Sequence, residues 1–346
     1  MLNYFKCSFI ITIAGMLAAY FWGEHHHAGS GLLCLFITAF LAILEVTLSF
    51  DNAVINALKL EKMSKVWQHR FLTWGILIAV FGMRFLFPIV VVAAFSGLSV
   101  PEVTNLALYD VDTYAAHLKS VHAPLITFGG TFLLMIFFSY FFNAEKDVHW
   151  LACVEKPLLK LNCIKYIDVV LVLLSLMILQ HFIPQNEKNA VIMAGFTGII
   201  LYLVIDSISN LLECIAEKKA KIAGETAKLG LIGFLYLELI DASFSLDGVL
   251  GSFAISKDII IITIGLAIGA MFVRSLTIYM VDMKTLKQFI FLEHGAHWAI
   301  GFLAIIMFLS TRMEISEVIT GGTGLVIVSA AFISSVIHNK KQITEK

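Results

Sequence analysis

The sequence predicts an all-α polytopic membrane protein of about ten transmembrane helices, built as two inverted five-helix repeats. Three observations lead there. Hydrophobic residues make up 59% of the 346-residue chain and charged residues 14%, with a mean hydropathy of +0.90; soluble globular chains carry about a quarter charged residues. Apolar runs near the ~20 residues that a helix needs to cross the hydrocarbon recur along the whole length, which favours a helical bundle over a β-barrel of short alternating segments. An acidic motif inside one of these runs returns in the second half of the chain. The net charge of -1 says little about partners, and nucleic-acid binding has no support because the basic residues are dispersed among loops. Cys7, Cys34, Cys153, Cys163 and Cys214 show no CxxC spacing and read as free thiols, neither a disulfide framework nor a zinc site.

Ten spans follow in order, at about 4–22, 31–58, 70–96, 124–143, 166–183, 189–213, 229–255, 258–281, 294–311 and 317–337. Alternate loops then receive very different charge. One side collects Lys6, Lys59, Lys62, Lys65, Arg70, Lys146, Lys156, Lys160, Lys165, Lys218, Lys219, Lys221, Lys228, Lys284, Lys287, Lys340, Lys341 and Lys346. The other has only Lys119, Lys188, Lys257 and Arg312. By the positive-inside rule both termini are cytoplasmic, as in an integral protein of a prokaryotic plasma membrane. Met1 to Trp22, with Lys6 as its charged region, has the look of a signal peptide. The repeat described next argues that it is a mature helix.

Glu45-Val46-Thr47-Leu48-Ser49-Phe50-Asp51-Asn52 has a counterpart in Asp241-Ala242-Ser243-Phe244-Ser245-Leu246-Asp247-Gly248. Gly75 precedes Arg84 by nine residues, and Gly265 precedes Arg274 by the same interval. Asp110 and His122 are twelve apart, as are Asp282 and His294. The spans that follow those histidines hold Gly129 with Met135 and Gly301 with Met307, and Ala14-Gly15 of the first span is echoed by Ala194-Gly195 of the sixth. The halves are therefore residues 1–183 and 184–346 of one membrane domain. Five spans per half is an odd number, so the halves enter the membrane in opposite senses, as in many secondary transporters.

The polar residues at membrane depth are the informative ones. A carboxylate at a helix centre costs roughly 2.5 to 3.5 kcal/mol on insertion scales, so several of them need a compensating partner or a use. The second span carries Glu45, Ser49, Asp51 and Asn52; the seventh carries Glu238, Asp241, Ser245 and Asp247. Asp206, Ser209, Asn210 and Glu213 share a face of the sixth span, and Arg84 and Arg274 lie in the third and eighth. On a regular helix Asp51 lies about 120° from Glu45, so the two converge only if the helix unwinds or if they address different neighbours. Ser49 to Asn52 and Ser245 to Gly248 are the expected break points, because Ser, Asp, Asn and Gly favour non-helical local bonding.

The acids outnumber the two arginines, so a cation is the expected occupant. Glu45, Ser49, Asp51, Asn52, Asp241, Ser245 and Asp247 form an oxygen-only ligand set, with Glu238, Asp206 and Asn210 as further candidates. Such a set suits hard divalent ions. Arg84 and Arg274 are read as charge partners of the acids. Carboxylates that lose a metal in a dry site are natural proton carriers, so proton exchange is the expected energy source in the absence of a Walker-type nucleotide loop. Glu24 with His25, His26 and His27 forms a loop that reads as solvated, with metal recruitment as its alternative. Gly321, Gly322 and Gly324 read as close helix packing.

With both motifs in view, the chain resembles the TerC family of integral membrane proteins, within the LysE-like transporter superfamily. Glu45 to Asn52 and Asp241 to Val249 are similar to that family's paired acidic signatures. Trp67 to Pro88 and Glu293 to Gly301 resemble the subfamily long catalogued only as a domain of unknown function. The resemblance covers most of the chain and implies metal-ion export, manganese above all, and a historical association with tellurium resistance. Gly248 departs from Asn52, so one ligand of the first half is missing from the second.

The expected function is therefore export of a divalent cation, Mn²⁺ first, from the cytoplasm through the lipid bilayer. No enzymatic activity and no permanently bound cofactor is expected, and a GxGD protease motif is absent. The alternatives are an anion, oxyanion or amino-acid exporter that uses Arg84 and Arg274, or a non-transporting membrane scaffold.

Overall fold

The computed structural model of the chain describes residues 2–26, 29–143, 148–223, 230, 233–238, 240–241, 252, 255–256, 258–282, 289–313, 315 and 317–344. At some helical positions, among them Asp51, Ser209, Asn210 and Glu213, it describes the backbone alone. The described helices are α1 (Leu2–His26), α2 (Gly31–Leu48), α3 (Phe50–Lys62), α4 (Lys65–Leu77), α5 (Phe87–Ser96), α6 (Val100–Tyr109) and α7 (Val111–Ser120). They continue as α8 (His122–Phe142), α9 (Ala152–Lys160), α10 (Ile167–Leu179), α11 (Lys188–Ala223), α12 (Ile259–Asp282), α13 (Leu292–Ser310) and α14 (Glu317–Thr344). A π-helical segment, Ile78–Leu86, joins α4 to α5 without a break. No strand occurs among the described residues.

The protein is thus an all-α polytopic membrane protein. Eight described helices have the length and apolarity to cross a bilayer, or nine when the bent pair formed by α9 and α10 is taken as one span. The expected span at 229–255 falls largely outside the described residues, which are helical there at 233–238 and 240–241. The expected span at 166–183 is corrected. Its helix, α10, has 13 residues, about 20 Å of rise against a hydrocarbon core of about 30 Å. It leaves the α9 segment at 107°, by way of Tyr166, whose φ of 60° is left-handed.

Residues 100–120, between the third and fourth expected spans, fold into α6 and α7. Ser99 and Glu102 form a reciprocal capping box at the start of α6, and the Asp110 carboxylate accepts the Thr113 amide at the start of α7. The Ser99 backbone and side-chain donors hold the Glu102 carboxyl below its ordinary range. Val103, Ala107, Tyr114 and Leu118 turn inward against Ile89 and Val92 of α5 and Ile259 of α12, so the two helices cap that end of the bundle.

The core is shared between the expected halves. α8 is buried over most of its length between α11 and α13, while α12 packs on α1, α2, α3 and the π-helical segment. The outward faces of α2 and α14 carry large apolar side chains, such as Phe36 at 70% and Val326 at 67% exposure, the pattern of a surface solvated by lipid. Close approach of α12 to α2 depends on two glycines a turn apart. A Cβ at Gly265 would lie 2.6 Å from Leu41 Cβ, and one at Gly269 would lie 2.5 Å from Glu45 Cβ and 2.7 Å from the Ala42 carbonyl oxygen. At the far end of the same helices, Asp258 accepts the Trp22 indole N–H at 2.7 Å and also caps α12 through the Ile260 amide at 2.9 Å.

Two expectations about glycine and histidine are revised. A Cβ at Gly322 would meet nothing within 4 Å among the described residues, so close packing does not require a glycine there, whereas Gly324 is buried. Glu24, read as a companion of His25 to His27, instead accepts the Gly29 and Gly31 amides at 3.0 and 3.2 Å and so caps the start of α2. His25 is exposed, whereas the His26 side chain and His27 lie outside the described residues. The four described cysteines, Cys7, Cys34, Cys153 and Cys163, are free thiols.

Candidate functional site

The doubled motif begins at the junction of α2 and α3. Ser49 alone leaves helical geometry there, at φ -102° and ψ 14°. The i to i-4 backbone pairing nevertheless continues through it, from Ser49 N to Glu45 O at 2.9 Å and from Ala53 N to Ser49 O at 3.1 Å. A serine suits the position because its hydroxyl donates to Glu45 Oε1 at 2.8 Å. The other donor to that oxygen is Arg84 Nη2, and both side chains of this ion pair are buried. Arg84 arrives from the π-helical segment, whose wider turn shifts the register of the third expected span relative to a regular helix.

Glu45 therefore has its partners within the first half. The bond that crosses between the motifs is made by Asn52, whose Nδ2 donates to Asp241 Oδ1 at 2.6 Å. Asn52 is fully buried, and it fixes the orientation of the carboxylate equivalent to Glu45 in the second half.

The second-half groups are arranged differently. Glu238 and Arg274 are buried, yet neither Glu238 oxygen and neither Nε nor Nη2 of Arg274 has a hydrogen-bond partner among the described residues. Asp241 Oδ2 and Asn56 Oδ1 are in the same condition. All four side chains line one cavity of about 30 Å³, with Arg84 and Gly75 also on its wall. One water needs roughly 10–15 Å³ on this measure, so the space suits a few waters or one small ion. Gly75 keeps it open: a Cβ there would lie 2.6 Å from Glu238 Oε1 and 3.4 Å from Arg274 Nη1. The Arg274 guanidinium rests over the Phe71 ring at 5.0 Å from its centroid.

The structure thus brings together Glu45, Ser49, Asn52, Glu238, Asp241, Arg84 and Arg274. The Asp51 side chain, Ser245 and Asp247 lie outside the described residues, as does the side chain of Asn210. Asp206 is exposed on α11 and does not line the cavity. Asn56 and Phe71 were not anticipated from the sequence. Asn56 had a signal, because it follows Asn52 by four residues and so shares its face. Phe71 had none beyond its place one turn before Gly75.

A second polar cluster lies apart from this cavity. Glu155 of α9 is buried and accepts Trp298 Nε1 at 3.1 Å and the amides of Trp150 and Leu151, both at 3.2 Å. His294 Nδ1 approaches the same carboxylate at 3.0 Å, which pins α9 to the start of α13 and accounts for one of the two histidines that recur in the repeat. Every oxygen of Glu155 is engaged, so the cluster reads as a clasp.

Chemically, the cavity offers oxygens of the type that hard cations take: two carboxylates and an amide carbonyl. A buried carboxylate oxygen with no partner carries a desolvation cost that an ion, a proton or a bridging water would remove. Among the described residues no group of three or more His, Cys, Asp or Glu is disposed to hold a metal, and three of the expected ligands are not among them.

No curated protein and no solved structure matches the chain. A family model described as "Protein of unknown function (DUF475)" matches residues 50–342. That match begins within the first motif, at Phe50, and takes in the second motif, both arginines and every described residue of the cavity; on its extent the chain belongs to the DUF475 family.

Proposed function

We propose that this protein is a secondary transporter that exports a divalent cation, Mn²⁺ foremost, through the cavity between its two halves. The observation that carries the proposal is the set of three buried, unpartnered carboxylate oxygens, Glu238 Oε1 and Oε2 and Asp241 Oδ2, around a space of ion or water size. Asn56 Oδ1 adds a neutral ligand, and Asn52 orients Asp241. Glu45, with Ser49 bonded to it, serves Arg84 in this reading. Asp51, Ser245 and Asp247 remain expected ligands on the strength of the repeat. The charge asymmetry of the loops supports cytoplasmic N- and C-termini in a prokaryotic plasma membrane. Proton exchange is the energy source in this proposal, and the resemblance to the TerC family favours manganese as cargo.

Arg274 Nε and Nη2, which have no hydrogen-bond partner among the described residues, favour a second reading, transport of an anion or an amino acid. One feature of the cavity weighs against it: an anion would face Glu238 and Asp241. In a manganese-sensitive host, cells that express the wild type are expected to accumulate less manganese than cells with an Asp241→Asn variant. Equal accumulation in wild type, variant and empty-vector cells would count against export.

A further inference from the structure

We propose that Arg274 is a resident competitor for the cargo, its guanidinium and the divalent cation being alternative partners of the Glu238 and Asp241 carboxylates. The inference rests on the cation-site reading above, and it assigns the element that sets how tightly the site holds its ion and how readily it lets go.

Opposite charges buried within reach of one another normally close into an ion pair, because an unpaired buried charge is strongly destabilising. Glu45 and Arg84 do so. Arg274 forms none among the described residues, although it and Glu238 line the same cavity and its Nε and Nη2 and both Glu238 oxygens have no hydrogen-bond partner there. Two features hold the gap open. The Phe71 ring takes the face of the guanidinium, which leaves its N–H groups, in the guanidinium plane, free to be directed elsewhere. Gly75 leaves empty the point toward which Glu238 Oε1 and Arg274 Nη1 both project. The carboxylates therefore have two ways to be compensated: an ion enters the cavity, or the guanidinium leaves Phe71 and closes on them.

An arginine suits this task better than a lysine would. Its charge is permanent in proteins, so the competitor is present at every pH the cell meets, and its planar fork can engage two carboxylates at once. A site of carboxylates alone would bind a divalent ion tightly and release it slowly. A fixed positive charge beside the site weakens binding and offers the emptied carboxylates a partner for the return step.

Opposite-sign variants test this. Purified full-length protein in detergent is titrated with Mn²⁺, and half-saturation is read from the metal-dependent rise in unfolding temperature. Arg274→Gln removes the competitor and is expected to half-saturate at roughly tenfold lower Mn²⁺ or less, while Arg274→Lys stays near the wild type. Phe71→Leu keeps the core apolar but frees the guanidinium, and is expected to need several-fold more Mn²⁺. In liposomes, Arg274→Gln is expected to release Mn²⁺ more slowly than the wild type. If the wild type responds to Mn²⁺ but Arg274→Gln binds no more tightly, or Phe71→Leu no more weakly, competition is overturned and the cation site stands. If neither wild type nor variants respond to Mn²⁺, Mg²⁺ or Ca²⁺, the cation reading falls and the competition with it.

Discussion

Arg84 and Arg274 stand at matching places in the two halves of the chain, each nine residues after a glycine, and meet opposite surroundings. Arg84 leaves a π-helical segment and closes on Glu45, which Ser49 also bonds. Arg274 leaves a regular α-helix, lies over Phe71, and keeps Nε and Nη2 without a partner among the described residues, opposite Glu238 in the same state and Asp241 with one oxygen so left. The same glycine-to-arginine spacing occurs twice in the sequence, and packing decides what each arginine does. In the first half the arginine is closed into a structural pair that braces α2 against the third expected span. In the second half it is left open beside a cavity.

The contrast can be broken by mutation. The largest expected effect is from Arg84→Gln, which strands a buried carboxylate; loss of one partner of such a pair costs about 3–5 kcal/mol. Thermal unfolding in detergent should show Arg84→Gln far below the wild type and Arg274→Gln close to it, because the latter gives up no hydrogen bond at Nε or Nη2. Equal losses would erase the distinction. Next, Glu45→Gln added to Arg84→Gln is expected to recover most of the lost stability, since both charges are then gone; a double variant no better than the single would mean that Glu45 has another buried partner. Glycine substitutions sharpen the comparison at smaller scale. Gly269→Ala sets a methyl against Glu45 Cβ and the Ala42 carbonyl, which cannot give way cheaply, and overpacking of this kind costs about 1–3 kcal/mol. Gly75→Ala meets the far ends of Glu238 and Arg274 and the edge of the Phe71 ring, and no backbone, so its stability should change least while Mn²⁺ binding falls as the cavity fills.

The membrane class, most span positions and the burial of polar residues at membrane depth, Glu45, Arg84, Glu238 and Arg274 among them, were legible in the sequence, because apolar length and misplaced charge are strong one-dimensional signals. The pairing was not. Both arginines read as charge partners of the acids, but nothing in the pattern said which acid each would meet; Arg84 meets Glu45, and Asn52 bonds across to Asp241. That outcome turns on a π-helical register and on a one-residue departure at Ser49, neither of which hydrophobic periodicity encodes. α6 and α7 escaped notice because they are too short and polar for a span search, although Ser99 and Glu102 carry a readable capping box. The expected span at 166–183 bridges Gln180 and His181 to reach Phe182 and Ile183, whereas the helix itself stops at Leu179. Glu24 read as part of a solvated loop, with metal recruitment as the alternative, and its carboxylate caps the next helix.

The most direct test of the division of labour is Mn²⁺ flux in liposomes that contain purified protein and an enclosed metal indicator. The expected result is flux through the wild type and through the Glu45→Gln/Arg84→Gln double variant, with flux through Glu238→Gln reduced to the level of empty liposomes. Wild-type flux through Glu238→Gln, or its loss in a stably folded double variant, would contradict a working second half and a bracing first half.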